Sequence, residues 1–186
     1  MYRDSGLPVI LLRCGDFIDT QKTMNWFEAF ITKPLNKPLN KGLNKGRIDY
    51  PGDLEVPHAW AYLPDAARAA VMLAERRESL AGFADIPFEG FTLSGRQMAD
   101  DIGRATGKQV TASRYRWWQL RLVQPFMPVI GGLFEMRYLW SLPQQLDGAE
   151  LAKLLPDFTP TPPREALRQA LAYRTGGAAT GAAILA

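Results

Sequence analysis

The residues able to handle a proton or attack a carbonyl near neutral pH are few: the chain has one cysteine, Cys14, and one histidine, His58. Cys14 closes the apolar run Val9-Ile10-Leu11-Leu12 within the turn Arg13-Cys14-Gly15-Asp16, while His58 stands between Pro57 and Ala59 in a separate segment. Nucleophilic catalysis by a Cys–His pair therefore needs the tertiary fold to join them. Taken alone, a cysteine is a small buried hydrophobe, and a histidine here serves equally as a hydrogen-bonded structural residue or a ligand contact. With one of each, neither an internal disulfide nor a Cys/His zinc cluster can form, so no metal ligand is assigned. Arg137, inside Phe134-Glu135-Met136-Arg137-Tyr138-Leu139-Trp140, is a third candidate. An arginine among apolar neighbours finds an acidic partner or a ligand anion.

Other chemistries lack their residues. The chain contains no Gly-x-Gly-x-x-Gly, no Gly-x-x-Gly-x-x-Gly, no Walker loop, no Tyr-x-x-x-Lys and no serine nucleophile elbow. Nothing in it seats a pyrophosphate on a helix N-terminus in the familiar way, and no catalytic residue is assigned.

These residues must be positioned by a chain of 186 residues, enough for one ordinary domain or two small ones. Val9 to Leu12 reads as a strand buried on both faces, hence parallel and central. The other strand candidates, Arg47 to Tyr50, Ala59 to Leu63, Phe91 to Leu93 and Val110 to Ser113, are short and scattered, so the sheet is missing neighbours that a central strand needs. Thr23 to Lys33 reads as an amphipathic helix capped by Thr23 and ended by Pro34. Pro64-Asp65 opens an Ala-rich helix, and Ser94-Gly95 caps another that Gly107 stops. Trp117 to Met127, Phe134 to Trp140, Gly148 to Leu155 behind Asp147, and Pro163 to Tyr173 complete a helical remainder. Trp117-Trp118 and the Phe134 to Trp140 aromatics read as core packing.

The formal net charge of +3 is local: Lys33, Lys37, Lys41, Lys45 and Arg47 contribute five positive charges, leaving the rest of the chain at −2. The four lysines belong to a tandem repeat, Lys-Pro-Leu-Asn passing into Lys-Gly-Leu-Asn, that reads as a solvated loop over 33–46. No basic helix with interleaved aromatics accompanies them, so nucleic acid is not an expected partner. No secretory signal opens the chain, which points to the cytoplasm. The most apolar stretch, Leu120 to Leu133, is interrupted by Arg121, Gln124, Pro125 and Pro128; it is too short to span a bilayer and reads as a buried, Pro-broken helix pair, with no membrane contact expected. Residues 176–186, rich in Gly and Ala, read as a disordered tail.

The order of pieces carries a resemblance. Leu12-Arg13-Cys14-Gly15-Asp16-Phe17, Tyr50-Pro51-Gly52, the run His58-Ala59-Trp60-Ala61-Tyr62-Leu63-Pro64-Asp65, and Leu146-Asp147-Gly148 before Leu154-Leu155-Pro156-Asp157-Phe158 resemble the C-terminal half of an extended short-chain dehydrogenase/reductase, the NAD-dependent epimerase/dehydratase family. The resemblance implies an α/β, partial Rossmann-like fold: the late strands of a parallel sheet in 1–80, then a small, mostly helical substrate-binding lobe in 81–175. It implies that Cys14, Gly15, Asp16 and Phe17 border the nicotinamide, and that His58, Trp60 and Arg137 face a small-molecule substrate. Cys14 stands where the family usually has Pro, Asp16 where it commonly has Asn, and His58 where nucleotide-sugar members carry a phosphate-binding Arg. These departures point away from a nucleotide-sugar substrate.

NAD or NADP is the cofactor that the family implies, but the glycine-rich loop and the Tyr/Lys pair lie outside this sequence, so the chain alone is expected to bind neither. Two functional readings follow. One is the substrate-side half of an NAD(P)-dependent oxidoreductase or epimerase. The other is a non-catalytic interaction module that forms a homo-oligomer or pairs with a complementing N-terminal half.

Overall fold

The computed structural model describes all residues except 1, 2, 5, 22, 24, 36–44, 81, 128 and 173–186. The chain forms a mixed α/β structure in which short strands make three small sheets. β1 (Val9–Arg13) lies parallel to β5 (Phe83–Pro87), with Val9 opposite Phe83 and Arg13 opposite Pro87. β2 (Asp16–Ile18) lies parallel to β4 (His58–Tyr62), which pairs antiparallel with β6 (Phe91–Leu93) on its other side. β3 (Lys45–Tyr50) runs parallel to β7 (Gln109–Arg114). Each sheet joins a strand before residue 80 to one after it, so the division of the chain there does not divide the sheets.

β4 is the central strand: all five of its residues are buried, because it has neighbours on both edges and packing on both faces. That place was expected of β1, and the structure corrects it. β1 has a single neighbour among the described strands, none of its residues is fully buried, and Leu11 is 38% exposed. Two strands are present that the sequence pattern does not announce. β5 carries Asp85 and Pro87, and β2 is three residues long; both owe their extended form to a distant partner rather than to a local pattern.

A π-helix over Phe27–Thr32 is followed by α1 (Lys33–Leu35), so the helix runs through Pro34 instead of stopping there. Its N-terminus is capped by Asn25, whose Oδ1 accepts the Glu28 N–H at 2.8 Å, and not by Thr23. The Lys/Asn repeat falls largely on residues 36–44, and the Gly/Ala tail on 173–186, both outside the described residues. α2 (Leu63–Glu75) has Pro64 in its first turn. α3 (Gly95–Thr106) begins in a capping box between Ser94 and Gln97 and ends at Gly107, whose φ of 68° favours a residue without Cβ. The rest is α4 (Trp118–Val123), α5 (Val129–Met136), a 3₁₀ turn over Arg137–Ser141, α6 (Ala149–Leu154) and α7 (Pro163–Ala172).

Two apolar clusters hold these parts together. The larger centres on Tyr50, Trp60, Phe27, Ile48, Met98 and Leu167, joining β3, β4, the π-helix, α3 and α7. The smaller sets Leu73 of α2 and Leu151 and Leu155 against Ile86 and Phe88, with Ile10 and Leu12 of β1 along its border. Each fully buried side chain of this size is worth about 1.5–3 kcal/mol. Asp65, buried at the start of α2, clips the approach to α7: it accepts from Thr161 N–H (2.6 Å), Thr161 Oγ1 (2.8 Å) and Arg68 Nη2 (2.7 Å).

The helix pair read as buried over Leu120 to Leu133 is present and is broken near Pro125, but α4 buries none of its side chains. Leu122 is 66% and Phe126 84% exposed, because no described element packs on their side of the helix.

Candidate functional site

The site starts from one glycine. Between β1 and β2 the backbone passes so close to β4 that a Cβ on Gly15 would collide with the Ala59 carbonyl. Only glycine allows this approach. It sets Asp16 opposite Trp60 in the β2–β4 register and brings its carboxylate to His58, two residues earlier on β4. His58 Nε2 lies 2.6 Å from Asp16 Oδ2. The imidazole is 3% exposed, stacks on the Trp140 indole (3.9 Å between centroids, 14° between planes) and meets Trp60 edge-on at 5.4 Å.

Trp140 is in turn fixed by Gly52, where a Cβ would strike the Trp140 carbonyl. Trp26, just ahead of the π-helix, stacks on Phe30 at 5.2 Å and meets Trp140 edge-on at 5.5 Å. Gln144 is held by its N–H on the Pro57 carbonyl (3.0 Å) and its Nε2 on the Leu139 carbonyl (3.0 Å). Together with Cys14, Gly15, Asp16 and His58 these residues enclose a cavity of about 160 Å³, completed by Met136 and Leu139. It lies where the chain leaves the C-terminal end of parallel strand β1, the place where open α/β sheets bind ligands.

With Asp16 on Nε2, the other ring nitrogen, Nδ1, is buried and has no hydrogen-bond partner among the described residues. Behind it, Tyr50 Oη and Trp60 Nε1 lie close together, yet neither makes a hydrogen bond of acceptable geometry. Burial drives the Tyr50 hydroxyl far above the usual phenol range, and the Asp16 charge adds to this. Burial also pushes the half-buried Cys14 thiol up, so the thiolate is disfavoured and Cys14 is not an activated nucleophile. Among the described residues no lysine or arginine lines the cavity. Its wall can orient a hydroxyl or amine through the carboxylate; it offers nothing to a phosphate.

Four of the expected site residues, Cys14, Gly15, Asp16 and His58, thus line one cavity. The other three lie elsewhere. Phe17 alternates to the far side of β2 and is exposed, while its carbonyl accepts from Asn25 Nδ2 at 3.3 Å. Trp60 is buried in the core behind His58. Arg137, at the start of the 3₁₀ turn, holds its guanidinium 5.5 Å over the Trp117 ring and is not among the residues that line the cavity. Trp26, Trp140 and Gln144 were not anticipated as lining residues. The aromatics are legible as packing, and packing is also what makes them a wall; Gln144 carries no sequence signal.

The space that Gly15 leaves by lacking a Cβ is taken by Ala59, and among the described residues no basic side chain lines the cavity to meet a pyrophosphate. Among the described residues no group of three or more His, Cys, Asp or Glu side chains could hold a metal ion.

No family model and no curated protein matches the chain. Solved structures do. A UDP-galactose 4-epimerase superposes with a TM-score of 0.59 at 14% identity, covering 94% of this chain and 48% of that one. A GalE-like L-threonine dehydrogenase from Cupriavidus necator gives 0.60 at 14% identity, covering 92% and 55%. NmrA, a negative transcriptional regulator solved in complex with NAD, gives 0.58 at 17% identity, covering 89% and 53%; it has also been solved with NADP. The chain spans about half the length of each. At these identities the likeness is one of fold: the chain has a mixed α/β, partial Rossmann-like fold that superposes on about half the length of these proteins.

Proposed function

We propose that this chain is the substrate-side half of an NAD(P)-dependent oxidoreductase or epimerase of the extended short-chain dehydrogenase type. The observation that supports this is the cavity at the end of β1, where Cys14, Gly15 and Asp16 meet the buried His58. In such enzymes a tyrosine is the general acid/base, a lysine lowers its pKa and the nicotinamide exchanges hydride. Those groups belong to sequence outside this chain. What the chain contributes is a rigid wall: Trp140 fixes the His58 ring, His58 fixes Asp16, and the Asp16 carboxylate accepts from a substrate hydroxyl or amine. A small, uncharged or cationic substrate suits a cavity of this size and lining better than a nucleotide sugar does. No helix among the described residues is long and apolar enough to cross a membrane, and a cytoplasmic enzyme half agrees with that.

The test is fluorescence titration with NADH. The chain alone is expected to show no saturable binding at micromolar NADH, and a mixture with a separately produced polypeptide carrying a glycine-rich loop and Tyr-x-x-x-Lys is expected to acquire it. Saturable binding by the chain alone overturns the proposal, as does a mixture that binds no better than the added half.

One observation favours a second reading, a non-catalytic module that pairs with a partner: β1 has an edge with no described neighbour. A homo-oligomer whose interface leaves out residues 9–12 counts against it.

A further inference from the structure

The segment from Arg114 to Leu146 contains four arginines, one glutamate and no other charged residue. Arg114 is paired with Asp53. Arg116, Arg121 and Arg137 have no carboxylate partner among the described residues; Arg121 and Arg137 instead lie 5.6 Å over Phe134 and 5.5 Å over Trp117. The same segment carries a group of exposed apolar side chains. Trp118 (58% exposed), Leu122 and Phe126 recur every fourth residue, so they share one side of α4 and of the 3₁₀ turn Gln124–Phe126 that continues it, and Met127 and Tyr138 are exposed as well. Soluble monomers rarely leave such a patch open.

We infer that this face docks the protein onto an anionic membrane surface. The charge pattern selects that occupant. In a two-fold contact between copies, Arg116, Arg121 and Arg137 would approach arginines of the second copy, and Glu135 is the only acid the segment itself carries to offset them. A layer of lipid phosphates with acyl chains beneath matches both features: arginines at the level of the phosphates, Trp118 and Tyr138 at the interface, Leu122 and Phe126 below. A Pro-broken pair of short helices lies along a bilayer and does not cross it, in keeping with the absence of any spanning helix among the described residues.

Vesicle flotation tests this with the whole chain, using phosphatidylcholine alone and phosphatidylcholine with phosphatidylserine at roughly 3:1. The chain is expected to float with the mixed vesicles, with a blue shift of tryptophan emission, and to remain below with phosphatidylcholine alone. Leu122→Ser with Phe126→Ser, and separately Arg116→Glu with Arg121→Glu, are expected to cut partitioning by about tenfold or more while leaving the far-ultraviolet circular dichroism unchanged. All four side chains are exposed, so neither pair of changes should disturb folding. Failure to float with the mixed vesicles overturns the inference. So does a lipid-free dimer that Phe126→Ser dissolves, which gives the face to a second copy. Neither result depends on whether the cavity belongs to an enzyme.

Discussion

His58 is held from three sides, by the Asp16 carboxylate, the Trp140 face and the Trp60 edge, and removing it should reveal what that is worth. His58→Ala deletes a buried ring and leaves Asp16 without its donor, so urea unfolding is expected to show a loss of about 2–4 kcal/mol. Asp16→Asn keeps the shape and an acceptor oxygen and should cost about 1 kcal/mol or less. Equal losses would mean that the hydrogen bond to the Asp16 carboxylate, rather than the packing, anchors the ring. Cys14 makes the complementary prediction about reactivity. Its thiol is raised by desolvation, so its iodoacetamide reaction at neutral pH should be slower than that of glutathione and should climb only above the usual thiol range. The linkage has the matching sign: a folded pKa above the unfolded one stabilises at low pH, and this contribution is lost as the pH rises through the folded value. A thiol as fast as glutathione at neutral pH would contradict the burial. At this scale the sequence exposes Cys14 and His58 because each is the only one of its kind. It does not show that Asp16 bonds to His58, since an aspartate in a turn looks the same whether or not a strand 42 residues away supplies its partner.

Elements were legible in proportion to how locally they are specified. Ser94, Gln97, Met98, Ile102 and Gly107 state the start, face and end of α3 within one short stretch, and the structure realises each of them. Ser94→Ala removes the cap and is expected to lower stability by about 1 kcal/mol without altering the cavity, a difference that thermal melting would register. The π-helix shows the opposite case. Trp26, Phe27, Phe30 and Ile31 have helical spacing, but the cap moved to Asn25 and the helix ran through Pro34, because tertiary packing of Phe27 and Phe30 outweighed the local stop signal. α7 depends on a contact that no pattern announces. Asp65 in α2 accepts three hydrogen bonds from Arg68 and Thr161, and Asp65→Ala removes the buried acceptor that ties the exposed Arg68 and the half-buried Thr161 together. A loss of about 3 kcal/mol is expected, with proteolysis appearing first between residues 157 and 163 as the strap ahead of α7 comes loose. Cleavage distributed evenly over the chain would argue that Asp65 supports α2 alone.

For the whole molecule, the distribution of strands is the most informative feature, and the sequence discloses it only in outline. An apolar run with too few partners was visible; that β4 rather than β1 would hold the centre was not, because β4 reads as an ordinary short strand until β2 and β6 are placed beside it. β1 is left with one ladder. Val9 N–H donates to the Gly82 carbonyl (2.8 Å) and Phe88 N–H to the Arg13 carbonyl (2.7 Å), so the backbone groups of Val9, Leu11 and Arg13 point to β5. By the alternation of a strand, those of Ile10 and Leu12 point the other way, to an edge with no described neighbour. A complementing polypeptide that continued the sheet would bind there. Amide exchange read residue by residue separates the alternatives. In the chain alone, Leu11 and Arg13 should be protected while Ile10 and Leu12 exchange rapidly, giving a two-residue periodicity. On adding a polypeptide that carries the nucleotide-binding strands, Ile10 and Leu12 should slow by about a hundredfold or more while Leu11 and Arg13 change little. Uniform protection of all four in the chain alone would mean that β1 already has two neighbours, and the half-molecule reading would then lose its physical basis.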